Sequence, residues 1–238
     1  MLRKVNRCFR FALAQSFIVF RFLVSLVIIS IVTCLFWAGR RNTNIPSPNT
    51  KPAKEIESTY NQKCIDHAIE LLRTGDIVLR TGSDVTSYML TQMNQKEKSY
   101  SHCGIVIIED GCPFVYHSIG GEDNPDQELK RDSVSFFFSP LNNLGFAVAR
   151  TALSETQNIS FIETVKLFYK QRRKFDLDFD LGTDDRLYCS EFVYKAMRQA
   201  LKDSCFIERT RVFGKEYIGI DNLYLNDHTK LICQVKFK

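Results

Sequence analysis

Leu187-Tyr188-Cys189-Ser190-Glu191-Phe192-Val193, taken with Ser101-His102-Cys103-Gly104-Ile105-Val106 upstream, decides how this chain of 238 residues is read. In the first stretch a cysteine opens an amphipathic helix. Phe192, Val193, Ala196, Met197, Ala200 and Leu201 recur at helical spacing, and Cys189 falls on the same buried face, in the first turn. Unpaired N–H groups and the positive dipole end at a helix start favour thiolate over thiol, and the same groups can hold an oxyanion. In the second stretch a histidine heads a β-strand, with His102, Gly104, Val106 and Ile108 on one face and Cys103, Ile105 and Ile107 on the other. A buried cysteine and a satisfied core histidine are the plain alternatives. Together the two residues predict a thiol nucleophile, Cys189, and its general base, His102.

Outward from His102, the strands His102–Glu109 and Pro113–Ser118 flank Asp110-Gly111, a strong hairpin signal. Counting from that turn, position 104 opposes His117, which brings His117 close to His102 and makes it the candidate for the orienting third member of a triad. Tyr60–Arg73, Asp84–Met93 (Met89, Leu90 and Met93 inward), Ile159–Lys170 and Cys189–Leu201 read as helices. Ile77–Arg80, Ser133–Phe138, Gly145–Arg150 and Lys230–Lys236 read as strands. Strands in the middle with helices at both ends predict an α+β fold with a central antiparallel sheet.

Residues 1–41 hold seven basic side chains and no acid, a local +7 against a total of +5, so the remainder carries −2 and presents no basic stripe for nucleic acid. Phe22–Ala38 is 17 residues without a charge and reads as an N-terminal transmembrane helix, a single-pass anchor with the main domain outside the cytoplasm. A cleaved signal peptide competes, although bulky Phe36 fits its cleavage site poorly. The expected organisation is a basic N-terminus and anchor over 1–41, a polar tether over 42–59 and a folded domain over 60–238. Six cysteines in that domain, irregularly spaced, do not read as a disulfide framework. No CxxC pair supports a zinc site. The acids Asp176, Asp178 and Asp180 alternate with Phe175, Leu177, Phe179 and Leu181 as in an extended segment with one buried face, without the glycine and ligand spacing of a calcium loop. No metal and no cofactor is expected.

Four short motifs in order, Gly75-Asp76-Ile77-Val78-Leu79-Arg80, Ser101–Val106, Phe175-Asp176 with Phe179-Asp180, and Tyr188–Val193, resemble the circularly permuted, NlpC-type papain-like cysteine hydrolases of the YiiX/YebB-like group. The resemblance covers roughly Leu71 to Ala200 and implies a permuted papain-like core with Cys189 as nucleophile and His102 as base. In that group the third polar residue is often glutamate, whereas here the position falls on His117. By analogy Tyr188 contributes to the oxyanion or substrate site. Glu191 belongs to the motif, with an exposed place in the first helical turn where it complements the dipole. The function expected is membrane-anchored cleavage of an amide bond, in a cell-wall peptide or an N-acyl compound, through a Cys189 acyl-enzyme. The runner-up is lipid acyl transfer of the lecithin:retinol acyltransferase-like type, and a catalytically silent anchored binding module is the reading from another class.

Overall fold

The structure, a computed structural model, describes residues 50–121 and 124–238. Asn61, Ile65, Ala68 and Leu72, spaced four, three and four apart, give helix α1 (Thr50–Leu71) and the residue after it a single buried stripe. The helix starts ten residues earlier than expected, so the second half of the 42–59 tether is helical. Pro52 is no obstacle, because N–H groups in a first helical turn need no partner.

Gly75, at φ +96°, turns the chain from α1 into β1 (Ile77–Gly82), a backbone angle that a side chain would strain. Asp76 beside it is buried and accepts Nε and Nη2 of Arg150 at 2.7 and 2.8 Å and the Arg73 N–H at 2.8 Å. The Gly75-Asp76 motif is therefore a structural clamp.

The remaining elements are α2 (Val85–Thr91), β2 (His102–Glu109), β3 (Cys112–His117), β4 (Lys130–Ser133), α3 (Val134–Phe137), β5 (Asn143–Thr151), α4 (Glu155–Lys170), α5 (Cys189–Leu201), β6 (Thr210–Val212), β7 (Lys215–Tyr217), α6 (Ile220–Tyr224) and β8 (Thr229–Lys236). Six strands form one antiparallel sheet in the order β4-β3-β2-β1-β5-β8, and β6 and β7 form a separate hairpin. Alternation sends Ile77, Leu79, Cys103, Ile105 and Ile107 to one face, against Phe161, Val165 and Phe168 of α4 and Phe192 and Val193 of α5. Val78, Val106, Val115 and Val148 point the other way, against α1, Val134 and Phe137 of α3, and Phe138. The described residues thus form two cores, one on each side of the sheet.

The α+β class with a central antiparallel sheet holds, but the fold class as expected, with a transmembrane helix in front, is corrected. Among the described residues no helix is long and apolar enough to cross a membrane. Phe22–Ala38, to which the span was assigned, lies outside the described residues.

Three local expectations also change. Ser133–Phe138 is not a strand: Ser133 ends β4 and its hydroxyl caps α3 by accepting the Phe136 N–H at 3.2 Å. Val134, Phe137 and Phe138 are buried at i, i+3 and i+4 while Phe136 is exposed, a helical spacing that the 134/136/138 alternation concealed. Met89 points to solvent, not inward. In the acidic run Asp176 is buried and Leu177 exposed, the reverse of the expected pattern, because the Asp176 carboxylate accepts the N–H groups of Asp178 and Asp180 at 3.0 and 2.6 Å.

Candidate active site

Tyr188, in an extended conformation, is the N-cap of α5, and Cys189 is its first helical residue. The helix start is clasped from outside. The Tyr188 hydroxyl accepts the Ile218 N–H at 2.9 Å and the Ser190 hydroxyl donates to the Ile218 carbonyl at 2.7 Å. Cys189 is 8% exposed and its thiol is held below its ordinary pKa. The largest cause is a hydrogen bond from the Cys103 thiol, opposed by burial and supported by the N–H groups of Ser190 and Cys103. The Cys103 thiol is pushed well up by burial and by its thiol neighbour. Of the two sulfurs, Cys189 is the one that ionises. All six described cysteines are free.

His102 and His117 are both buried. His102 Nε2 lies 2.9 Å from His117 Nδ1, and His117 Nε2 lies 3.0 Å from Asp132 Oδ2. The register Ile105↔Tyr116 sets Gly104 opposite His117, as counted from the hairpin. A Cβ on Gly104 would stand 2.4 Å from Val115 Cγ1 and 3.0 Å from His117 Cβ, so glycine there leaves room for the second imidazole. Phe137 covers the pair, with ring centroids 5.6 Å from His102 and 5.3 Å from His117. Burial, then Arg80 and His117, holds His102 well below its ordinary value; burial also lowers His117, against the pull of Asp132. Both rings are therefore neutral near pH 7.

Neutrality determines the tautomers. The Asp132 carboxylate can only accept, so His117 carries its proton on Nε2 and accepts at Nδ1. His102 then carries its proton on Nε2, and its Nδ1 keeps a lone pair. No hydrogen bond among the described residues engages that atom. Asp132 is the residue that sequence reasoning missed. An aspartate inside a strand is a weak signal, and its relation to His117 comes from the β3–β4 register, Val115↔Asp132 and His117↔Lys130.

The expected site residues thus fall into two groups. His102 and His117 meet, with Asp132 behind them. Cys189 meets Cys103, the residue after His102, and no hydrogen bond joins it to His102. In β2, Cys103 shares the core of Cys189, whereas His102 lies against Phe137 of the opposite core. Tyr188 is near the sulfur, but its hydroxyl is committed to Ile218. Glu191 is not exposed as expected but fully buried: its Oε2 accepts the Tyr188 N–H at 3.0 Å, and its Oε1 forms an ion pair with Lys195 Nζ at 2.9 Å. A helix buried on all sides through its first two turns leaves no exposed position at 191.

Comparison with known proteins bears on the scaffold. Residues of this chain align with the uncharacterized protein YiiX of Escherichia coli K12 at 26% identity over 131 residues, 54% of this chain and 59% of that protein. A crystal structure of the metalloprotein YiiX from Escherichia coli O157:H7 superposes with a TM-score of 0.56 at 19% identity, covering 69% of this chain and 98% of that one. This chain has a YiiX-like fold. No family model matches it. Among the described residues no group of three or more His, Cys, Asp or Glu side chains is placed to hold a metal ion. The YiiX-like scaffold supplies the sheet and the helix that present Cys189 and His102.

Proposed function

We propose that this protein is a cysteine hydrolase that cleaves an amide bond, in a peptide or an N-acyl compound, through an acyl-enzyme on Cys189. One observation carries the reading. The Asp132–His117–His102 chain leaves the lone pair of His102 Nδ1 available to take a proton, and the sulfur of Cys189 rests on the N–H of Cys103, the residue after His102. His102 takes the thiol proton and the sulfur attacks the carbonyl carbon, while N–H groups at the start of α5 receive the oxyanion. The C–N bond breaks as His102 returns the proton to the departing amine. Water, deprotonated by His102, then attacks the thioester and releases the carboxylate and the thiol. His117 and Asp132 do not touch the substrate; they hold the His102 ring in one tautomer. The scheme requires the His102 ring and the Cys189 sulfur to come within hydrogen-bonding reach during the reaction.

The test is mass spectrometry of the full-length chain after brief exposure to peptide and N-acyl amide pools. An acyl adduct on Cys189 that decays with time, absent from Cys189→Ala, is the expected result. A stable fatty-acyl adduct formed only with phospholipid would replace amide hydrolysis by acyl transfer. No adduct with either pool would support a binding module.

A further inference from the structure

We propose that Glu191 and Lys195 are positioning residues, a buried ion pair that ties the 176–184 loop to the helix carrying Cys189 and so sets the geometry of the nucleophile. The inference rests on the reading above only in taking Cys189 as the reactive atom. Glu191 reaches back to accept the Tyr188 N–H at 3.0 Å, the acidic half of a capping box whose other half a tyrosine cannot supply. One turn on, Lys195 is 2% exposed and meets Glu191 Oε1 at 2.9 Å. The same ammonium donates to the Thr183 carbonyl and to Asp184 Oδ1, the latter at 2.9 Å. Helix start, helix second turn and incoming loop are thereby tied through one buried cation.

Replacing a buried ion pair by apolar residues of similar volume is often neutral or stabilising, so stability is a weak account of two buried charges here. Their placement gives a stronger one. The carboxylate is two residues from the sulfur, and the loop at the other end packs Phe179 on Tyr188 at 5.1 Å between centroids. Phe179 adopts φ +52°, a strained angle for an aromatic residue. The same loop walls a cavity of about 550 Å³ that Arg198 and Lys215 also line. A ligand in that cavity would press on the loop that the ion pair connects to Cys189.

The charged and titratable groups facing Glu191 are Lys195 on its own helix, Asp176 on the loop, and the Tyr188 phenol at the helix start. Burial lifts the Glu191 carboxyl to about 7 against the pull of Lys195, so its charge changes within the neutral range.

The experiment is the pH profile, from 5 to 9, of Cys189 alkylation by iodoacetamide in the full chain, read by peptide mass spectrometry. The wild type is expected to show a break near pH 7 besides the ionisation of the thiol. Glu191→Gln, which keeps an oxygen for the Tyr188 N–H, should remove the break near pH 7. Lys195→Met should move the break upward, because a buried carboxylate without its cation ionises later, and should raise hydrogen exchange over 176–188. Profiles of Glu191→Gln and wild type that superimpose would overturn the proposal, and this arm suffices if Lys195→Met does not fold. Failure of Cys189 to label ahead of Cys64 and Cys205 would count against the hydrolase, yet leave this comparison of Cys189 with itself readable.

Discussion

The two faces of the sheet at the head of β2 are built to opposite ends. On one face a sulfur sits among N–H groups and a second thiol, in surroundings that favour its ionised form. On the other, two imidazoles are buried under Phe137 and beside Arg80, surroundings that keep them uncharged. A thiolate–imidazolium pair formed in the resting state would contradict the second environment. The difference teaches that His102 rests as a neutral imidazole, which under the proposed mechanism acquires charge only during the reaction. It also shows that a single residue step in β2, from His102 to Cys103, separates the two chemistries.

The sharpest way to break this comparison is to ask whether the faces communicate. His102→Ala should slow alkylation of Cys189 about 100-fold or more, the usual range for loss of a general base, measured with iodoacetamide at pH 7. An unchanged rate would mean that the faces work independently and that Cys103 alone activates the sulfur.

Gly104→Ala sharpens it from the imidazole side. The new methyl group meets Val115 and pushes on His117, which should cost about 1–3 kcal/mol in denaturant unfolding. It should also slow alkylation by misaligning the relay. Lost stability with unaltered thiol reactivity would remove His117 from the mechanism.

The smallest effect is on stability against pH, where the two faces pull in opposite directions. The histidines, with folded values depressed below 6.5, stabilise the fold above that pH, and this contribution is lost as pH falls through their folded values. Glu191, with its value raised from 4.5 to about 7, contributes stability that is present below 4.5 and lost as pH rises toward 7. Between 4.5 and 6.5 the slopes oppose, so the wild-type Tm should vary little there. Glu191→Gln should uncover a steeper loss on acidification, and scanning calorimetry over that interval checks it.

Much of the architecture was legible before any coordinates. The β-branched apolar run over residues 105–108, the Asp110-Gly111 turn and the 3.6-residue stripe after Cys189 are local patterns, and each specifies its element. The hairpin register that brings His117 to His102 followed by counting. The β6–β7 hairpin was not legible, because its turn uses Phe213 at φ +48° before Gly214 where asparagine or aspartate would signal a turn.

Periodicity and turn chemistry sufficed for the α+β class, for Cys189 at a helix start and for the imidazole pair, since all are properties of neighbours along the chain. Only the packed molecule assigned Asp132 to His117, buried Glu191 against Lys195, and set Cys189 beside Cys103 with His102 turned to Phe137. Those relations depend on which face of the sheet each helix covers. Helices on either face satisfy the same alternating strand pattern, and long-range packing alone makes the choice.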